Sequence, residues 1–210
     1  MAKLYFYYST MNAGKSTVLL QANYNYLERG MQTILYAPSV DERYGSGRIT
    51  SRIGLSAAAK SIDHDFDIFH DMQIELQLQT KIACVLVDEA QFLSKTQVLQ
   101  LSKVVDLLSI PVLCYGLRTD HKGDLFEGSR YLLGIADNLV EVKTVCHCGR
   151  KAIMVMRIDA DGKQVLEGPQ IQIGGNDLYV ATCRKHFMLG DSGPRLRDLQ
   201  QVEKEFATIA

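Results

Sequence analysis

The chain has 210 residues, 47% of them apolar, with 23 basic and 24 acidic side chains and a formal net charge of −1. This is the composition of a soluble globular protein with one full domain, or one domain and a small appendage. It shows no basic excess of the kind a nucleic-acid groove needs, no apolar run near the ~20 residues that span a bilayer, and no secretory leader in MAKLYFYYS, so a cytoplasmic protein is expected.

In chain order, LYFYYST (Leu4–Thr10) reads as a buried strand, followed by a helix from about Lys15 to Arg29 that Gly30 closes. TILYAP (Thr33–Pro38) is a second strand, stopped by proline. The polar, Gly- and Arg-rich run Ser39–Gly54 reads as a long mobile loop. A helix is expected near Phe69–Thr80, then a strand covered on both faces in IACVLV, then a helix from Ser94 to Leu108. PVLCYG (Pro111–Gly116) is a further buried strand. Strands and helices in alternation predict an α/β core with a mostly parallel sheet. After about Asn138 the pattern changes to short strands in NLVEVKT, AIMVMRID and YVAT, with a hairpin turn at Asp159–Gly162. That predicts a small antiparallel module. The expected division is a core over 1–140, the module over 141–192, and a polar helical tail over 193–210.

YYSTMNAGKST (Tyr7–Thr17) ends like a phosphate-binding loop but begins with Ser9 where the motif has glycine. The context is a buried strand, the loop, then an amphipathic helix. Ser9, Thr10, Met11, Asn12 and Ala13 would form the loop, and Gly14 would let the backbone approach phosphate. Lys15 would supply a point charge, and Ser16, followed by Thr17, a hydroxyl for Mg²⁺. The acidic half of such a site stands in CVLVDEAQF, where four apolar residues lead into Asp88 and Glu89. Carboxylates at the end of a buried strand need water, metal or ligand. Asp88 would organise Mg²⁺, and Glu89 would remain for acid–base work. Capping of the next helix is the other use for this pair, but Ser94 is better placed for that. Together the two halves predict a P-loop NTPase core that binds a nucleoside triphosphate with Mg²⁺.

YFYYSTMNAGKST, LVDEAQFL, VLCYGLRTD and QIGGNDLYVATCRKH, in this order from about Lys3 to Gly190, resemble thymidine kinases of the type II, cellular class in their bacterial form. The resemblance implies transfer of the γ-phosphoryl of ATP to the 5′-hydroxyl of thymidine, with Glu89 as general base. It adds Gln91 to the ATP and Mg²⁺ set and puts Gln91 and Phe92 along the nucleoside side. It also implies a lasso loop over the base, matched by Gly116–Phe126 and Ile173–Tyr179. Leu117, His121, Phe126 and Tyr179 would surround the thymine ring, with Gly174 and Gly175 allowing close backbone approach. On the residues alone, Tyr179 reads as a core strand residue. His121 stands where the family usually carries an aromatic side chain, which predicts a more solvated pocket edge. Arg43 and Arg52 lie near positions where the family places basic residues by the substrates, and they read equally well as solvated loop arginines. A homotetramer and feedback inhibition by thymidine triphosphate are implied by the resemblance alone.

Five cysteines, an odd number, argue against a disulfide framework. Cys146 and Cys148 on one side of the module, with Cys183 and His186 on the other, resemble the ligand pairs of a zinc ribbon. Four protein ligands leave no open position, so the zinc would be structural and would pin the lasso-bearing module. His147 is a rival ligand. Cys84 and Cys114 read as inert core residues. Two other functions fit parts of the pattern: a kinase for another pyrimidine deoxynucleoside, and a P-loop ATPase whose ribbon grips nucleic acid. The second lacks the basic balance it needs.

Overall fold

The computed structural model describes residues 1–40, 47–78, 81–172 and 178–194. The chain forms two compact units, Met1–Thr119 with Leu125–Val142, and Asp120–Asp124 with the chain from Lys143 onward. Of the polar helix expected over 193–210, residues 195–210 lie outside the described residues, as do 41–46 of the expected loop.

The first unit is built on β1 (Leu4–Ser9), α1 (Lys15–Glu28), β2 (Gln32–Pro38), β3 (Arg48–Thr50), β4 (Ser56–Ala58) and β5 (Lys60–Ile62). It continues through α2 (Ile68–Leu78), β6 (Ile82–Val87), α3 (Lys95–Leu108), β7 (Val112–Leu117), α4 (Glu127–Ile135) and β8 (Asn138–Glu141). Six strands form one sheet in the order β5-β2-β6-β7-β1-β8, and every neighbouring pair is parallel. Alternation along each strand feeds two cores. Val85, Val87, Val112 and Cys114 pack with Met72, Val98, Leu101 and Leu132 on one face. Cys84, Leu86 and Tyr115 pack with Leu19, Leu20 and Leu35 on the other. Each fully buried aliphatic side chain stabilises the unit by about 1.5–3 kcal/mol, and the doubly covered strands account for their continuous apolar runs. Ser94 caps α3 in a full capping box with Gln97.

Three features differ from the sequence expectation. The NLVE strand does not join the antiparallel module. It pairs in parallel with β1 from Tyr5↔Asn138 to Tyr8↔Glu141, and Val142 N–H then donates to Tyr8 O at 2.9 Å. The Asp137 carboxylate accepts from Leu4 N–H at 2.7 Å, which draws this edge strand onto β1. Part of the expected loop is ordered into the antiparallel β3–β4 pair. Helix α4 was not foreseen: it is short, and Phe126 precedes it without a side-chain cap.

The second unit contains β9 (Thr144–Val145), β10 (Lys151–Ala152), β11 (Met154–Arg157), β12 (Tyr179–Thr182) and α5 (Arg184–Leu189). Its two strand pairs are antiparallel. Met154, Met156, Ile158 and Phe187 form its small core. The turn at Asp159–Gly162 is closed by the Asp159 side chain, which accepts from the N–H groups of Asp161 and Lys163 at 2.8 and 2.9 Å. No helix among the described residues is long and apolar enough to cross a membrane.

Candidate active site

The carboxyl end of a parallel sheet is where α/β folds expose functional groups, and here β1, β7 and β6 end side by side. Ser9 is the last residue of β1 and needs no left-handed angle, so the glycine of the usual motif is not required there. The left-handed positions are Asn12 (φ 64°) and Gly14 (φ 82°). A Cβ on Gly14 would meet nothing within 4 Å, so the backbone angle, not space, selects glycine. Ser9 Oγ donates to Thr10 O at 2.7 Å and Thr10 Oγ1 donates to Met11 O at 3.0 Å. Lys15 is buried, and its ammonium donates to Thr10 O at 3.0 Å, which draws the charge back over the loop. No side chain caps the N-terminus of α1, so its first N–H groups face the loop.

Asp88 follows β6 and is 5% exposed. Its carboxylate accepts from Glu89 N–H at 3.0 Å and from the Ser16 hydroxyl. Burial, and then the neighbouring Glu89 carboxylate, push the Asp88 carboxyl up to about 7, against the pull of Ser16, the Glu89 N–H and Lys15. Glu89 holds a left-handed conformation, φ 46° and ψ 39°, which costs a non-glycine residue about 1–2 kcal/mol and aims its side chain out of the strand direction. Its carboxylate accepts from Gln91 Nε2 at 2.5 Å, and Gln91 Oε1 accepts from Leu117 N–H at 2.9 Å. Gln91 therefore has both ends of its amide engaged inside the protein and ties Glu89 to the end of β7. Glycine is required around it. A Cβ on Gly116 would lie 2.9 Å from Gln91 Oε1, and one on Gly128 would lie 2.3 Å from Ala90 O.

Phe92 and Phe126 meet edge to face, with ring centroids 5.7 Å apart, and Leu117 is buried at the end of β7. These three belong to the first unit. His121 and Tyr179 belong to the second, and Gly174 and Gly175 lie outside the described residues. The expected solvated edge at His121 does not hold: the imidazole is 1% exposed. His121 stands in the tight turn Asp120–Asp124, closed by Asp120 Oδ1 accepting from the N–H groups of Lys122 and Asp124 at 2.8 and 2.9 Å. Burial and the positive charge of Arg157 both lower the His121 pKa. Tyr179 is also buried, and its hydroxyl donates to Gln172 O at 2.9 Å. Arg43 lies outside the described residues, and Arg52 sits in the turn between β3 and β4.

Cys146, Cys148, Cys183 and His186 bring four donor atoms within 4.8 Å of one another. Cys148 Sγ lies 3.9 Å from Cys183 Sγ, and Cys146 Sγ lies 3.3 Å from His186 Nδ1. A tetrahedron with zinc–sulfur bonds of about 2.3 Å has edges of roughly 3.8 Å, so the donor set fits a structural zinc. Arg150 Nε donates to Cys148 Sγ at 3.4 Å and holds that thiol down to about 6, towards the thiolate a metal requires. His147 stacks on His186 at 4.2 Å and, with His186 and Asp191, forms a second donor group. Burial pushes the Cys84 thiol up to about 12 and raises that of Cys114 too, as befits core residues.

Sequence reading missed Gln91's bridging role, Arg150 beside the thiolate, and Arg157. The signal for Arg157 was present: a lone arginine in the apolar run AIMVMRID is out of place in a buried strand.

A glycine–lysine–serine turn after the first strand of a parallel sheet, an uncapped helix behind it, and a buried carboxylate at the end of β6 together define a phosphate-loop α/β protein. The thymidine kinase family model matches residues 2–187. The chain belongs to the thymidine kinase family. It is 61% identical to a thymidine kinase of Legionella pneumophila (strain Lens), over 92% of both chains. It is 60% identical to one of Salmonella paratyphi A, over 89% of this chain and 91% of that one. It is also 60% identical to one of Mannheimia succiniciproducens, over 89% and 95%. The crystal structure of a DNA replication initiation factor is similar over 67% of this chain and 40% of its own, at 19% identity and a TM-score of 0.36.

Proposed function

We propose that the protein is a thymidine kinase that transfers the γ-phosphoryl of ATP to the 5′-hydroxyl of thymidine, giving thymidine monophosphate and ADP. Membership of the thymidine kinase family carries this reading, and the carboxylate end of β6 beside the phosphate loop supports it. Thr10–Thr17 would cradle the β- and γ-phosphates with backbone N–H groups, and Lys15 would leave Thr10 O to meet them. The pairing of the Ser16 hydroxyl with the Asp88 carboxylate is an all-oxygen donor set that suits Mg²⁺. Bound there, the ion would neutralise charge on the phosphate oxygens. Glu89, oriented by Gln91, would accept the 5′-hydroxyl proton as that oxygen attacks the γ-phosphorus and the bond to the β-phosphate oxygen breaks. Leu117, Phe92 and Phe126 would form an apolar wall for the nucleoside, and His121, Gly174, Gly175 and Tyr179 would belong to the loop that covers the base.

The second unit would serve as the zinc-pinned lasso module, with Cys146, Cys148, Cys183 and His186 as ligands. We place the protein in the cytoplasm, and the family resemblance implies a homotetramer inhibited by thymidine triphosphate. The test is product formation from ATP, Mg²⁺ and a panel of nucleosides. Thymidine monophosphate as the main product is expected. Deoxyuridine or another nucleoside as the favoured acceptor would replace the substrate. ATP hydrolysis independent of any nucleoside would overturn the kinase reading.

A further inference from the structure

We propose that Arg157 is a positioning residue for nucleoside binding: it anchors the segment Gly168–Gln172 against Tyr179. The proposal rests on the reading that Tyr179 lies beside the base. In the β11–β12 pair, Arg157 stands opposite Tyr179. Cross-strand partners share a face, and both side chains converge on one residue. Arg157 Nη1 donates to Gln172 Oε1 at 3.0 Å and to Pro169 O at 3.3 Å. Tyr179 OH donates to the backbone oxygen of the same Gln172 at 2.9 Å.

Arg157 is 4% exposed, in a strand otherwise made of methionine and valine. A methionine or leucine would fill that place without burying a charge, so packing alone gives no reason for arginine. The chain is shaped to the guanidinium in turn. Gly168 has φ +100°, and a Cβ there would lie 2.7 Å from Arg157 Nη2. A further tie comes from Gln170, whose Nε2 donates to Asp120 Oδ2 at 2.8 Å. Asp120 is itself locked by the two N–H groups of its own turn, which carries His121. Gly168–Gln172 is exposed and belongs to no helix or strand, yet side chains grip it at Pro169, Gln170 and Gln172. A loop held in one conformation before its ligand arrives binds more tightly than one that must be ordered on binding.

The experiment compares thymidine KM and kcat, at saturating ATP and Mg²⁺, for Arg157→Met, Gln172→Leu and the double variant, with zinc content as a check on the fold. Each single change is expected to raise the thymidine KM about tenfold, the worth of one charge-assisted hydrogen bond, with kcat within about threefold of wild type. The double variant should be no worse than the more impaired single one, because both remove the same contact. An unchanged KM, or a fall in kcat alone, would overturn the proposal, as would fully additive effects. If Arg157→Met does not fold, Gln172→Leu, at an exposed position, decides by itself. A wild-type chain inactive on thymidine would count against the proposed function instead. The anchor is then judged by amide exchange over 168–172, where Arg157→Met should quicken exchange about tenfold and unchanged exchange would refute it.

Discussion

The two units hold their functional groups by different physics. In Met1–Thr119 with Leu125–Val142, two apolar layers fix a parallel sheet, and Lys15, Asp88 and Glu89 stand at its carboxyl edge as a consequence of strand register. In the unit that begins again at Lys143, the apolar core is four residues and their immediate neighbours. There the shape depends on polar ties and on a cluster of three thiols and an imidazole. The first arrangement tolerates a strained residue and a buried carboxyl because the surrounding sheet overrides their cost. The second has no such reserve, and each tie it loses should be felt.

The largest expected effect breaks the second unit alone. Cys183→Ser removes a zinc ligand, so zinc content should fall to about a tenth of an equivalent or less. Amide exchange should quicken throughout 143–194 while β1, β6 and β7 keep their protection. Uniform loss of protection would mean that the units do not differ in what holds them. A smaller effect strikes the first unit: Gly128→Ala drives a methyl group into Ala90 O and should lower stability by about 1–3 kcal/mol, measured by urea unfolding. Thymidine turnover should fall with it, since Ala90 and Gln91 must shift. Full stability in that variant would show that the sheet edge can move to admit a methyl group.

The first unit also carries a pH dependence, set by Asp88. The Asp88 carboxyl titrates near 7 in the folded chain and near 3.8 when unfolded. The folded state therefore favours the protonated form, and the cost of ionising it builds as pH rises from about 4 to 7 and is constant above. Asp88→Asn mimics the neutral form. In metal- and nucleotide-free protein its advantage over wild type should grow by roughly 2–3 kcal/mol between pH 5 and 8. An advantage that shrinks with rising pH would mean that the carboxyl is stabilised as an anion.

The sheet and phosphate loop were legible because their signals are local. Apolar runs ending in Ser9, Val87 and Leu117 announce doubly covered strands, and Gly14-Lys15-Ser16 follows one of them directly. For Tyr179 the pattern alone gave a core strand residue, and it is buried in β12; its place beside the base is a proposal that only the family resemblance suggests. The missed features depend on distant partners. Strand β8 is placed by Asp137 reaching Leu4 N–H, far away in the chain. The clamp on Gln172 needs β11 and β12 in register before Arg157 and Tyr179 face the same way. No periodicity encodes such pairings. The odd residue, an arginine among methionines, was the only trace.

We propose that Glu89, held off the end of β6 by its left-handed backbone and by Gln91, is the base for the 5′-hydroxyl. The most direct measurement is the single-turnover rate of thymidine phosphorylation in Glu89→Gln, with ATP and Mg²⁺ saturating. The substitution keeps the shape and removes the proton acceptor, so the rate should fall by about 10²–10⁴-fold while ATP affinity is retained. A rate within about threefold of wild type would contradict the assignment and send the search for the base elsewhere along the sheet edge.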